Sequence, residues 1–314
     1  MITDNEISFV VQGALDKRKY KNSFVTQEVV NSIRKFYPSS EIILSTWVNQ
    51  YIEVENCDKI VLSEDPGGYL SNGVHLNVNR QIVSSLNGVR ESTRVYSAKL
   101  RSDLLVVNDG MLRCLNYLNN NYRRTSDAVF EGWIACLNLT SINMERHPRA
   151  LAICDWIYAG KTEDIQSLFD IQLYPEEYFE FYKEKKCIKD DCSRQRYNAE
   201  QWILFQSLAN KNDKLKNFFY DGWVDSEYIK FVHSALLAND ICIFNKWQLG
   251  VKSTKYRLQF FALEKMMTHK DWVRNYVRYH NQNEKKLNID SERYLYNILS
   301  NNFVRSLGKK IVGR

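Results

Sequence analysis

The chain has 314 residues, of which 44% are hydrophobic, and its formal net charge is +6 at pH 7. This length and apolar content predict a globular protein with one large domain, with or without an appended segment. No apolar run reaches the roughly 18 residues that a membrane span needs, and MITDNEISFV lacks the basic and apolar regions of a signal peptide, so we expect a cytoplasmic protein.

The first half of the chain alternates strand-like with helix-like segments. Short apolar runs predict strands at ISFVVQGAL, EIILSTW, DKIVLSEDPGG and VYSAKLRSDLLV. Apolar residues at helical spacing predict helices at TQEVVNSIRKFYP, with Thr26 as N-cap, and at NVNRQIVSSLNGVRES. This alternation predicts an α/β fold with a mostly parallel sheet covered by helices.

The second half is less regular. EGWIACLNLTSI and RALAICDWIYAG predict strands, whereas helices are predicted at PEEYFEFYKEK, NAEQWILFQSLANK, SEYIKFVHSALLAN and most of the stretch after Tyr256. Residues 246–314 contain 15 Lys and Arg against 5 Asp and Glu, so the positive charge belongs to the C-terminal region. A basic tail suits an anionic membrane, nucleic acid or an anionic substrate, or is an ordinary solvated helix face.

Polar residues collect where three predicted parallel strands end. They are Gln12 and Gly13, then Glu64 and Asp65, and then Arg101, Ser102 and Asp103. Because parallel sheets bind ligands at the carboxyl ends of their strands, this edge is the candidate binding site. Simpler interpretations are a turn at Gly13, capping by Glu64 and Asp65, and a surface ion pair between Asp103 and the cations beside it.

One segment carries a family resemblance. LNGVRESTRVYSAKLRSDLLV resembles the nucleotide-sugar-binding core of GT-A glycosyltransferases, in which an Asn-x-Gly-Ile-like helix end leads through a strand to an Asp-x-Asp motif. The two motif aspartates fall on Arg101 and Asp103, so arginine replaces the first carboxylate. With ISFVVQGAL, EIILSTW, VLSEDPGG and NVNRQIVSSLNGV, the segment is similar to the WavE lipopolysaccharide-synthesis family. CDWIYAGKTEDIQSLF and NAEQW resemble later blocks, to about residue 205; the tail after Leu249 matches weakly.

The resemblance implies a GT-A-like, Rossmann-like fold with a helical C-terminal region. It implies a hexosyltransferase-like enzyme that moves a sugar from a nucleotide-sugar donor to a lipid-linked or oligosaccharide acceptor in bacterial lipopolysaccharide, lipooligosaccharide or capsule assembly. We expect a catalytic domain over residues 1–245, with a donor side to residue 110 and an acceptor side after it, and a basic extension over 246–314. Alternatives are a nucleotidyltransferase, a nucleic-acid-binding module based on the tail, and an inactive scaffold.

Sugar transfer needs positive charge on the donor phosphates as the glycosidic bond breaks. A divalent metal, Mn²⁺ or Mg²⁺, or Lys and Arg side chains can supply this charge. We expect Asp103 to bind the metal, with His269 as a second ligand, although a lone histidine is more often solvated or structural. The alternative is direct phosphate binding by cations. The residues expected to bind the donor are Gln12, Gly13, Glu64, Asp65, Arg80, Lys99, Arg101, Ser102 and Asp103.

Two carboxylates are candidates for the base that deprotonates the acceptor hydroxyl. Asp155 follows the apolar run RALAIC and is the first choice; Glu200 in NAEQW is the second. Both could instead be carboxylates in the first turn of a helix, stabilised by its dipole.

The C-terminal tail combines apolar and basic residues. The apolar residues are Ile289, Tyr294, Leu295, Ile298, Leu299, Val304 and Leu307, and the cations are Arg293, Arg305, Lys309, Lys310 and Arg314. This pattern suits a helix in the interface of an anionic inner membrane, and a helix packed on the main domain would show the same pattern. We expect no nucleic-acid partner.

Overall fold

The computed structural model describes residues 1–71, 74–183, 194–218, 222, 226–255, 264–281 and 291–300. The strands are β1 (Ile7–Gln12), β2 (Lys19–Tyr20), β3 (Ser23–Phe24), β4 (Glu41–Trp47), β5 (Lys59–Ser63), β6 (Tyr69–Ser71), β7 (Val74–Leu76), β8 (Tyr96–Arg101), β9 (Leu104–Val106), β10 (Ile134–Leu137), β11 (Ile157–Lys161), β12 (Ile241–Phe244) and β13 (Val251–Ser253). The helices are α1 (Val25–Phe36), α2 (Val78–Arg90), α3 (Gly110–Asn121), α4 (Thr162–Phe169), α5 (Ala199–Ala209), α6 (Asp213–Lys216), α7 (Glu227–Asn239), α8 (Lys246–Leu249), α9 (His269–Tyr279) and α10 (Ser291–Ser300).

A seven-stranded sheet with the order β12-β10-β11-β8-β1-β4-β5 forms the centre. All its pairings are parallel except those of β11, which runs antiparallel to both β8 and β10. The predicted mostly parallel α/β sheet is confirmed. Because β11 is reversed, its first residues lie at the edge where β1 and β8 end.

Helices cover both faces of this sheet. Adjacent residues of a strand point to opposite faces, and Phe9 of β1 packs on Tyr37, just after α1, with ring centroids 4.7 Å apart. The next residue, Val10, faces Gly88 of α2 on the other side. Residues 8–11 of β1 are fully buried, as expected for a strand covered on both faces.

Several local predictions are wrong. Thr26 is not the N-cap of α1, because the helix begins at Val25; its hydroxyl accepts a hydrogen bond from the Asp16 amide and donates to the Ser102 carbonyl. VYSAKLRSDLLV is two strands, since β9 leaves the central sheet after a turn and pairs with β13.

Two further elements are shorter than predicted. In RALAICDWIYAG the strand begins only at Ile157. PEEYFEFYKEK contains a short 3-10 turn, Glu176–Tyr178, and its residues after 183 lie outside the described ranges.

The described part of the C-terminal region packs on the main fold. Arg293 of α10 is buried and forms an ion pair with Asp271, so it is not a cation available to a membrane. Tyr296 is also buried, and its hydroxyl accepts a hydrogen bond from Asn138 at 2.7 Å. Other tail residues lie outside the described ranges: Ile289, Val304, Arg305, Leu307, Lys309, Lys310 and Arg314. Among the described helices, none has the length and apolarity to cross a membrane.

Gly88 sets how closely α2 approaches the sheet. A Cβ atom there would lie 2.4 Å from Val10 Cγ1 and 2.8 Å from Ser45 Cβ. We expect Gly88→Ala to lower the free energy of unfolding by about 1–3 kcal/mol, because the helix must move away from β1 and β4. Chemical denaturation measures the change. The control is Gly132→Ala, whose Cβ would come no closer to any atom than 3.3 Å, at the flexible Lys161 side chain; equal losses in both variants would contradict the prediction.

Candidate active site

A cleft of about 900 Å³ lies at the carboxyl edge of the central strands. Its walls are the end of β1 with the loop after it, the turn after β8, the residues before β11, and the first turns of α2 and α5. The structure brings these predicted site residues together here: Gln12, Gly13, Asp65, Arg80, Arg101, Ser102, Asp103, Asp155 and Glu200. The reversed direction of β11 is what places Asp155 beside the ends of β1 and β8.

Backbone contacts fix the floor of the cleft. Gly13 has φ +105°, a conformation that favours glycine, and its amide donates to the Ser45 carbonyl at 3.0 Å. The Ser102 amide donates to the Gln12 carbonyl at 3.0 Å, and the Ser102 hydroxyl donates to the Ala14 carbonyl at 2.6 Å. These bonds hold the turn after β8 against the loop after β1.

Arg101 and Asp103 form a bidentate ion pair in the cleft. Nε of Arg101 donates to one carboxylate oxygen at 3.0 Å, and Nη2 donates to the other at 2.7 Å. The guanidinium lies over the Trp156 ring, 4.6 Å from its centroid, and the Asp103 side chain is only 9% exposed. Packing and hydrogen bonds therefore fix the orientation of both charged groups.

Two more arginines of the cleft hold carboxylates in the same way. Arg80 binds both oxygens of Asp65, each at 2.7 Å, and its hydrogen bonds keep the pKa of Asp65 below the usual value. Nε of Arg18 donates to both oxygens of Asp16, at 2.8 and 3.1 Å, and Arg18 Nη2 also contacts that carboxylate. Each arginine of the cleft is thus oriented by an acidic neighbour.

These contacts decide how well the cleft fits a divalent metal. Both oxygens of Asp103 accept hydrogen bonds from a cation, which would have to move and which repels another cation. Across the described ranges, no three Cys, His, Asp or Glu side chains are grouped as a metal site. The Mn²⁺ or Mg²⁺ site predicted at Asp103 and His269 does not fit the residues present.

Asp155 and Glu200 form the acidic side of the cleft. The main-chain carbonyl of Asp155 accepts hydrogen bonds from Lys99 Nζ and from Gln81 Nε2, the latter at 3.1 Å. Within the part of the chain that the structure describes, the Asp155 carboxylate accepts no hydrogen bond. Burial raises the pKa of Glu200 to about 8, and the charge of Asp155 adds to this rise. Thr140 donates to Glu200 at 3.3 Å.

The remaining predicted residues do not line the cleft. Lys99 is fully buried beneath it, so the prediction that it faces the donor phosphates is wrong. Glu64 is exposed outside the cleft. His269 lies at the start of α9, stacked on Phe244, with Nδ1 2.8 Å from the Ile243 carbonyl oxygen. This position is structural, as the alternative interpretation of His269 held.

Sequence reasoning missed several residues of the cleft. Asp16, Lys17 and Arg18 lie in the basic stretch DKRKYK, which begins three residues after Gly13, so their place near a strand end was a usable signal. Trp156 directly follows Asp155 in the sequence, which was also a usable signal. Lys255 reaches the cleft because β13 pairs with β9, a long-range contact that no local pattern reveals.

Two solved structures are similar to this chain at a low level. A cytidylyltransferase from Leptospira borgpetersenii has 10% identity and a TM-score of 0.33, over 72% of this chain and 92% of that one. Glucosyl-3-phosphoglycerate synthase from Mycobacterium tuberculosis, solved with Mn²⁺, uridine diphosphate and phosphoglyceric acid, has 11% identity and a TM-score of 0.37, over 65% of this chain and 64% of that one. Neither likeness bears on a particular residue.

The sequence itself gives the family. Comparison with curated protein sequences yields no match. The family model described as WavE lipopolysaccharide synthesis matches residues 7–311, nearly the whole chain, and so extends well beyond the segments that carry the resemblance in the sequence. The chain belongs to the WavE lipopolysaccharide synthesis family.

Proposed function

We propose that the chain is a glycosyltransferase that moves a sugar from a nucleotide-sugar donor to a glycan acceptor during lipopolysaccharide, lipooligosaccharide or capsule assembly. One observation carries the proposal. A single cleft at the ends of the parallel strands combines oriented arginines with Asp155, a buried carboxylate that accepts no hydrogen bond from the described residues. Phosphate recognition and base catalysis need these two kinds of group side by side.

The arginine side of the cleft suits the donor. When the glycosidic bond breaks, negative charge grows on the departing phosphate, and oriented cations stabilise it most strongly where water is excluded. Arg101 and Arg80 are held in fixed directions by Asp103 and Asp65. Guanidinium groups match phosphate oxygens in geometry and stay charged at every physiological pH.

The acidic side suits the acceptor. Because the pKa of Glu200 is about 8, this residue is mostly protonated at neutral pH and is a poor base there. Asp155 lies beside it, next to the buried Lys99, and its carboxylate accepts no hydrogen bond from the described residues. Asp155 is therefore the proposed base for the acceptor hydroxyl, and protonated Glu200 is a hydrogen-bond donor beside it.

The family supports the proposed pathway and location. Lipopolysaccharide synthesis implies a lipid-linked or oligosaccharide acceptor, and such an acceptor is reached from the cytoplasmic face of the inner membrane. Three apolar side chains of α10 are well exposed: Tyr294 at 67%, Leu295 at 49% and Ile298 at 41%. We propose that they contribute to a peripheral contact with this membrane.

A ligand panel tests the assignment directly. Nucleoside diphosphates, nucleotide-sugars and CTP are compared by thermal shift, since a ligand that binds the native state raises the melting temperature. We expect stabilisation by one nucleotide-sugar and by its nucleoside diphosphate. Stabilisation by CTP alone, with release of pyrophosphate when a sugar acid is added, would instead indicate a nucleotidyltransferase.

Replacing the proposed base separates catalysis from binding. Asp155→Asn keeps the side-chain shape but cannot accept the proton, so we expect transfer to fall by about two orders of magnitude or more. Donor affinity should stay within about threefold, because the donor lies on the arginine side. The control is Asp170→Asn, an exposed carboxylate that pairs with Arg90 away from the cleft. Near-normal turnover in Asp155→Asn would exclude Asp155 as the base.

The raised pKa of Glu200 predicts a pH dependence of stability. The folded protein holds this proton up to about pH 8, whereas an unfolded chain releases it near pH 4.5. Glu200 therefore makes the free energy of unfolding fall as the pH rises through this window. We expect Glu200→Gln to gain stability relative to the wild type across it, as measured by denaturation at several pH values. Glu163→Gln, an exposed control on α4, should run parallel to the wild type; parallel curves for both variants would contradict the prediction.

The membrane contact is tested on α10. Leu295→Glu with Ile298→Glu should reduce sedimentation with anionic vesicles by about tenfold, because each buried leucine or isoleucine contributes on the order of 1 kcal/mol or more. Leu173→Glu, at an exposed leucine in another part of the chain, is the matched control. No binding by the wild type, or equal binding by both variants, would exclude the contact through these residues.

A further inference from the structure

The two residues at the aspartate positions of the Asp-x-Asp pattern bind each other. Arg101, which stands in place of the first carboxylate, grips both oxygens of Asp103, the second carboxylate. The Trp156 ring packs against the face of the Arg101 guanidinium, which lies 4.6 Å from the ring centroid. The guanidinium of Arg101 therefore already occupies the carboxylate that a divalent metal would need.

The other donor-side carboxylates are engaged in the same way. Asp65 is bound by Arg80 through two bonds of 2.7 Å, and the Asp16 carboxylate is bound by Arg18. A divalent ion would have to break one of these charge-assisted pairs and come close to a guanidinium. Phosphate oxygens, in contrast, are attracted by the same guanidinium groups.

The charges around Asp103 point in the same direction. Asp16 is the main cause of a raised pKa at Arg18, and the charge of Asp103 adds to it, so Arg18 also lies within the electrostatic reach of Asp103. Lys17 and Lys255 line the same cleft. The surroundings of Asp103 are therefore rich in positive charge.

We infer that Arg101 takes the place of the divalent cation and that the donor's diphosphate binds in this cleft without a metal. Asp103 is then a positioning residue, which fixes the direction of the guanidinium from one edge while Trp156 supports its face. This inference rests on the proposed function, because it identifies the group that neutralises the donor phosphates.

Binding measurements in the presence of EDTA test the inference. The full chain is titrated by calorimetry with inorganic pyrophosphate and with uridine, guanosine, adenosine and cytidine diphosphates, first in EDTA and then in excess Mn²⁺. We expect pyrophosphate and at least one nucleotide to bind in EDTA, with affinities that Mn²⁺ changes by less than about threefold. Arg101→Ala should weaken binding in EDTA by about tenfold to a hundredfold, the range for a lost charge-assisted contact.

Asp103→Asn distinguishes the two models most sharply. If Asp103 is a positioning residue, the Asp103→Asn variant should bind the diphosphate in EDTA at least as tightly as the wild type. The substitution removes a negative charge from the phosphate site. As a metal ligand, Asp103 would be required for a Mn²⁺-dependent affinity. Arg101→Lys keeps the charge but not the fork and should bind with intermediate affinity. Arg90→Ala, which breaks a surface pair outside the cleft, is the matched control.

The outcomes separate this inference from the proposed function. Binding that appears only with Mn²⁺ and is lost in Asp103→Asn would overturn the inference and leave the glycosyltransferase proposal standing. Absence of binding by every nucleotide and by pyrophosphate, with and without Mn²⁺, would overturn both. Equal affinities for the wild type and Arg101→Ala in EDTA would show that other cations bind the phosphates and would also overturn it.

Discussion

The buried ammonium group of Lys99 is the constraint on which the site depends. Lys99 lies on β8 with no exposed surface, and burial lowers its pKa to about 8 while the charge of Asp155 opposes this shift. Its Nζ donates to the main-chain carbonyl of Asp155, just before β11. An unpaired buried charge is costly, so this contact ties the two strands together at the cleft.

The reversed direction of β11 places this contact at the cleft. In an all-parallel sheet, the residues that precede a strand lie at the opposite edge from the strand ends. Since β11 is antiparallel to β8, Asp155 and Trp156 instead stand beside Arg101 and Asp103. Trp156 then supports the guanidinium and Asp155 supplies a carboxylate. The arginine side and the acidic side of the cleft thus meet at two neighbouring strands.

Much of the fold could be predicted from the sequence, because its strands and helices have short, regular apolar patterns. The edge where the site lies was predicted for the same reason. The sequence predicts Asp155 at the end of a strand, whereas it precedes one, and it lines the cleft only because β11 is reversed. Strand direction and the arrival of Lys255 depend on pairings between distant segments, which local patterns do not contain.

The three charged residues of VYSAKLRSDLLV are Lys99, Arg101 and Asp103, and each has a different role in this structure. Lys99 and Arg101 are two residues apart in one strand, so their side chains leave the same face of the sheet. Arg101 is the last residue of β8, so Lys99 lies in the core while Arg101 reaches the cleft. Two cations so close together need a nearby anion each, and Asp155 and Asp103 lie where these anions are needed. The charge reversal at the first motif position is therefore balanced within the site, which explains how the strand end tolerates an arginine there.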